Sequence, residues 1–261
     1  FSPYSEPSGC TLGLAGQDFC VLASLPGPRS APRAYHNFTV TCSDGLVSTI
    51  IHGSPNDAEF LARVISETSS TTHPTFASAS AFTSPPPATS SPLSCARLVH
   101  LVGSLQYSRR SFPLYCSVVC AVFPGPGGAG KPSLVTFDAV GSYEQVGHAA
   151  VNADATIDDV FQSLGGGEVI TATVDIGDEE SGEEEGEEGG ALPLALLAPL
   201  NHVPRLPAGV GMERARDELL RRLGGVLDAR GAEDEEAEGK AQVLIVDESG
   251  VRWEGHDLLT P

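Results

Sequence analysis

Twice within the first fifty residues, two β-rich runs face each other across a short polar turn that contains glycine. CTLGLA and FCVLAS flank Gly16-Gln17-Asp18, and FTVTC and LVSTII flank Ser43-Asp44-Gly45. Runs so spaced pair as antiparallel hairpins. A chain that starts with two hairpins must build sheet, and the segments that follow decide what covers it.

The next segment carries helix signals. Ser54-Pro55-Asn56-Asp57 offers N-cap chemistry, and Phe60, Leu61, Val64 and Ile65 repeat behind it at helical spacing. A second helix is expected from about Ser94 to Arg110, with Leu98, Leu101, Val102 and Leu105 in one stripe. Arg109 and Arg110 fall in its last turn, at the negative end of the helix dipole, and Pro113 prevents continuation. Strands follow at YCSVVCAVF and SLVTFDAV. Residues 154–164 read as a helix capped by Asp154, with Ile157, Val160, Phe161 and Leu164 on one face, and 210–223 read as another. A last hairpin joins AQVLIV to VRWEG through Asp247-Glu248-Ser249-Gly250. Strands, two helices, strands, two helices, strands: two sheets packed face to face need their outer faces covered, and two helix pairs can do that. The fold class expected is α/β (α+β), a four-layer α/β/β/α sandwich in one domain spanning 1–261. Two segments stand outside it. Residues 68–93 are Ser, Thr, Ala and Pro with almost no charge, and residues 175–192 are acidic and Gly-rich; both read as flexible insertions.

The formal charge of −19 is concentrated rather than general. Nine acids lie in 175–188 and five more in 233–238, and without those fourteen the charge is −5. Such runs are solvated loops rather than a binding field. Nucleic acid is not an expected partner, because Lys and Arg are doubled only at Arg109-Arg110 and Arg221-Arg222. A membrane is not expected either: ALPLALLAPL at 191–200 is ten residues with two prolines, against the ~20 a spanning helix needs. Six cysteines (Cys10, Cys20, Cys42, Cys95, Cys116, Cys120) sit inside apolar runs with no C-x-x-C pair, which reads as buried thiols in a reducing compartment and no metal or other cofactor. Cys116 and Cys120, four apart on a strand, should face the same side. The NFT at 37–39 matches a glycosylation acceptor, read as chance without a signal peptide. His52, His100, His148 and His202 show no shared-ligand spacing.

LQYSRRSFPLYC at 105–116 and VTFDAVGSYEQ at 135–145 together resemble the eukaryotic proteasome core-particle β subunits, and within them the subunit at the sixth ring position. Phe1-Ser2-Pro3-Tyr4 resembles that subunit's mature start, and LAGQDFCVLAS, NHVP and GKAQVLIVDESGVR follow in matching order. The resemblance implies the N-terminal nucleophile hydrolase sandwich. It also implies partners: the other β subunits of a seven-membered ring, an α ring, the opposite β ring, and unfolded polypeptide in the chamber, in cytoplasm and nucleus, within ubiquitin-dependent degradation.

Active members of that family use a mature N-terminal Thr whose own amine helps activate its hydroxyl, supported by a Lys and an Asp. Matching GQDFCVLAS places the Thr position at Gly9, the Asp position at Leu25 and the Lys position at Arg33, which keeps its proton at any physiological pH. The later Ser position falls at Asn152 and the remaining Asp position at Glu235. The resemblance therefore implies a subunit that is not an enzyme. Two rivals stand beside it: cleavage after Gly9 exposing Cys10 as an N-terminal nucleophile, and a free-standing binding or scaffold protein on the same fold. Asp138, before Ala139-Val140-Gly141, reads from its residues as a turn-capping carboxylate. The resemblance implies a further role for it, lining the substrate channel of a neighbouring chymotrypsin-like subunit. Tyr107, Arg109 and Arg110 are expected to serve packing and helix-end electrostatics.

Overall fold

The computed structural model describes residues 9–25, 35–69, 89–90, 93–125, 130–138, 140–151, 157–166, 205–231 and 239–258. They form eleven strands and four helices: β1 (Cys10–Ala15), β2 (Phe19–Leu25), β3 (Tyr35–Cys42), β4 (Gly45–Gly53), α1 (Pro55–Ser69), β5 (Thr89–Ser90), α2 (Cys95–Ser108), β6 (Cys116–Pro124), β7 (Ser133–Phe137), β8 (Tyr143–Val146), β9 (His148–Val151), α3 (Ile157–Ser163), α4 (Met212–Gly231), β10 (Lys240–Asp247) and β11 (Gly250–Asp257). One sheet has the order β11-β10-β2-β1-β9, the other β5-β3-β4-β6-β7-β8. Every pairing is antiparallel except β3 with β5.

Strand alternation sorts the buried side chains into three cores, one for each interface of a four-layer stack. Cys10, Leu12 and Leu14 of β1 join Val21 and Ala23 of β2 and Val243 and Ile245 of β10 under α3 and α4. The alternate residues, Cys20, Leu22, Leu244 and Val246, meet Ile50, Val119, Ala121 and Leu134 of the other sheet. That sheet's outer residues, among them Val47, Ile51, Val118, Cys120 and Val135, pack under α1 and α2. Because β1 and β2 are buried on both faces, they read as continuous apolar runs rather than an apolar–polar alternation.

The helix ends follow their local chemistry. Pro55 opens α1, where its missing N–H costs nothing, and the Ser94 hydroxyl accepts from Arg97 N at 3.3 Å to cap α2. In α4, Ala215, Leu219, Leu223 and Leu227 recur every fourth residue and all are buried.

Several boundaries differ from the sequence expectation. The last helix does not stop at 223 but continues through Gly224-Gly225 to Gly231, because Val226 and Leu227 extend its apolar stripe. The segment 68–93 is not wholly an insertion: α1 runs to Ser69, and Thr89–Ser90 pairs in parallel with Val40 and Thr41. The acidic stretch 175–192 lies outside the described residues. The strand expected over SLVTFDAV ends at Phe137, where a turn begins. The α2 helix closes at Ser108, so Arg109 is its C-cap and Arg110 lies beyond it. Two short strands, β8 and β9, were not expected. A single residue, Gly147, separates them, and there the chain leaves the edge of one sheet for the edge of the other.

Candidate functional site

The position that the resemblance singles out lies at the start of β1. Gly9 is buried and holds φ +81, a region that suits glycine and not a β-branched residue. Cys10 is fully buried beneath α3 and α4, facing away from the space between the sheets. Leu25 stands directly opposite Cys10 in the β1–β2 register and packs in the same apolar core, where an ionised carboxylate would be costly. Arg33, Asn152 and Glu235 lie outside the described residues.

One residue further along, alternation turns Thr11 toward the other sheet. Its hydroxyl lies 2.7 Å from the Ser24 hydroxyl, its cross-strand partner, and 2.5 Å from Nε2 of His52 on β4. At the same end, Asn37 of β3 donates to the Gln242 side chain of β10 at 3.1 Å, a second polar tie between the sheets. Hydroxyls beside an imidazole are the parts of a nucleophile and its base. Here they are closed off: Thr11, Ser24 and His52 are at most 1 % exposed, and Thr11 is paired on both sides within its sheet. The arrangement as it stands is a buried hydrogen-bond network that satisfies three polar side chains where the two sheets meet.

Sequence reasoning left His52 unassigned and did not single out Ser24 or Thr11 as a cluster. A signal existed for half of it, since Ser48, Ile50 and His52 share a strand face. No local pattern tells which residues of the opposite sheet that face will meet.

The remaining thiols offer no alternative centre. All six cysteines are buried and none is in a disulfide. Burial pushes the Cys20, Cys116 and Cys120 thiols up to about 12, so they hold their protons at neutral pH. Cys95 is raised further still, first by the hydrogen bond between its side chain and that of Cys42 and then by burial. As expected, Cys116 and Cys120 face the same side, toward α1 and α2. A cavity of about 480 Å³ lined by Thr41, Asp44, Phe123, Asp247 and Glu248 sits at the other end of β4, the length of that strand from His52. Among the described residues no helix is long and apolar enough to cross a membrane, and no group of three or more metal-ligating side chains converges.

Asp138 is exposed and opens the turn after β7. Its Oδ1 accepts from Val140 N at 3.0 Å and Ser142 N at 2.8 Å, and its own N–H donates to Ser142 O at 2.9 Å. That is the turn-capping arrangement read from the residues. No hydrogen bond to the second carboxylate oxygen is made among the described residues and the residue is exposed, so the same side chain can close its turn and still accept a further bond.

Two packed, mainly antiparallel sheets between helix pairs make this a sandwich of the N-terminal nucleophile hydrolase type. Within that class the chain is similar to proteasome β-type subunits. It is 27% identical over 161 residues to proteasome subunit beta type-1 of Arabidopsis thaliana and 26% identical over 161 residues to that of Petunia hybrida, covering 60% of this chain and 64% of each relative. It is 28% identical over 160 residues to proteasome subunit beta type-6 of Saccharomyces cerevisiae, covering 60% of each chain. The match thus spans less than two thirds of the length of these relatives. No family model matches the chain.

Proposed function

We propose that this chain is a non-catalytic β-type subunit of the proteasome core particle, standing at the sixth place of a β ring in the cytoplasm and nucleus. The observation that carries the reading is the closed start of β1. Gly9 brings no side chain, Leu25 replaces a carboxylate with apolar packing, and the nearest hydroxyl and thiol, Thr11 and Cys10, are buried within the chain rather than at its free end. In this reading the subunit completes the ring and shapes a neighbour's site, with Asp138 offering its second carboxylate oxygen to peptide in the adjacent chymotrypsin-like channel. Cleavage after Gly9 to expose Cys10 is disfavoured by the Cys10 side chain, which points into the helix-covered core and would have no carboxylate at Leu25 to support it.

Epoxyketones couple to both the amine and the hydroxyl of an N-terminal Thr, which makes them a direct probe. Incubation of the purified particle with such a reagent, followed by intact-mass analysis of each subunit, is expected to modify the catalytic subunits and leave this chain's mass unchanged. A mass increase mapped to Thr11 or Cys10 would overturn the non-catalytic reading.

A further inference from the structure

Among the described residues, the large apolar side chains that stay exposed are Phe112 (84 %), Tyr107 (57 %), Val140 (43 %) and Tyr115 (37 %). Isolated exposed apolar residues need no explanation, but these are gathered in one region of the fold. Tyr107 is in the last turn of α2, and Phe112 and Tyr115 are in the loop that leaves it. Val140 belongs to the turn that sits on α2: a Cβ on Gly141 would come within 2.3 Å of Gly103 O and 2.5 Å of Tyr107 N, so turn and helix touch backbone to backbone.

The same region holds two arginines that pair with no carboxylate among the described residues. The Arg109 guanidinium lies 4.9 Å from the centre of the Phe60 ring and that of Arg110 lies 4.4 Å from the centre of the Tyr107 ring. Arg110 also donates to the Tyr107 carbonyl at 3.3 Å, the helix-end contact expected of it. Neither is ion-paired with a carboxylate among the described residues. Stacking on a ring holds each guanidinium in place while leaving N–H donors free for a planar acceptor. Aromatic rings and arginine together are the composition of an interface centre rather than of a solvated surface.

We propose that Tyr107, Arg109, Arg110, Phe112, Tyr115 and Val140 form a docking surface for a carboxylate-bearing segment of a neighbouring β-type subunit, which covers the Phe112 ring and pairs with the two guanidiniums. The proposal rests on the reading of the chain as a ring subunit. Charge complementarity selects the occupant: two preorganised cations that meet no carboxylate among the described residues call for a planar anionic acceptor, and the exposed rings supply apolar area around it. Asp138 stands at the edge of the same surface, in the turn that carries Val140, so the segment that docks here also sets how that carboxylate meets its neighbour.

The test uses the full chain carrying R109K and R110K, which keep the charges but present amines, assembled in its own cells and recovered in native extract. A zero-length carbodiimide then joins any touching carboxylate to those amines. Isopeptide bonds from position 109 or 110 to an Asp or Glu of another β-type subunit are the expected result. In parallel, R109E with R110E should reduce the particle-bound fraction about tenfold while lowering the melting temperature of the chain by only a few degrees, the loss expected from the helix-end contacts of two exposed side chains. If the wild-type chain is found in the particle but no such bond forms, or the bond runs to a carboxylate of this same chain, the docking surface is wrong and the ring-subunit reading survives. If the wild-type chain is recovered only as a monomer, the ring-subunit reading fails and the proposal with it.

Discussion

Replacing Gly141 with alanine is expected to destabilise the chain by about 3 kcal/mol, the sum of a positive-φ penalty and of overpacking against backbone. Gly141 has φ +89, and its added Cβ would fall 2.3 Å from Gly103 O and 2.5 Å from Tyr107 N. Both atoms belong to the main chain of α2, which cannot rotate aside as a side-chain tip can. The turn must lift instead, and the bonds from Val140 N and Ser142 N to Asp138 Oδ1 are disturbed with it. Asp138→Ala makes the informative contrast. It removes the capping oxygen and its two exposed hydrogen bonds without any steric conflict and should cost only about 1 to 2 kcal/mol. Denaturant unfolding of the two variants checks both values. Gly141→Ala within about 0.5 kcal/mol of wild type, the range of ordinary surface changes, would show that the turn does not bear on the helix as described.

Thr11→Val should destabilise by a comparable amount for a different reason. Valine has nearly the shape of threonine, so packing is kept, but the Ser24 hydroxyl and His52 Nε2 lose their shared partner in a region with no access to water. Each buried polar group left unsatisfied costs about 1 to 3 kcal/mol, so a total near 3 kcal/mol is expected. Thr11→Ser, which keeps the hydroxyl, should lose markedly less. His52→Leu on its own leaves Thr11 short of one bond. The double variant T11V/H52L should be less destabilised than the sum of its singles, because removing both partners removes the unmet demand. Additive losses, read from melting curves of the four proteins, would mean that the contact between the sheets is not an energetic unit.

The layer order was legible because each element carries its own period. The two opening hairpins, the α2 stripe of Leu98 and Val102, and the α3 face of Ile157, Val160, Phe161 and Leu164 are all buried where spacing placed them. The elements that escaped are those whose cause is not local. Tyr143–Val146 and His148–Val151 are four residues each, too short to show a period, and become strands only because sheet edges stand ready to pair with them. Gly103 is poor for helix formation, and its reason becomes visible only with Gly141 packed on it. The site divides in the same way. That Cys10 faces Leu25 follows from the register of one hairpin. The link from Thr11 to His52 crosses between two sheets and 41 positions of chain, a distance over which residue spacing carries no information.

The proposal that this chain works as a member of a β ring is tested most directly by the size of the native particle that contains it. Extract from the source cells, separated by gel filtration without denaturant and probed for this chain, should place it in a very large hetero-oligomer together with other β-type subunits. Elution near its monomer mass of 27.1 kDa, apart from those subunits, would contradict the account.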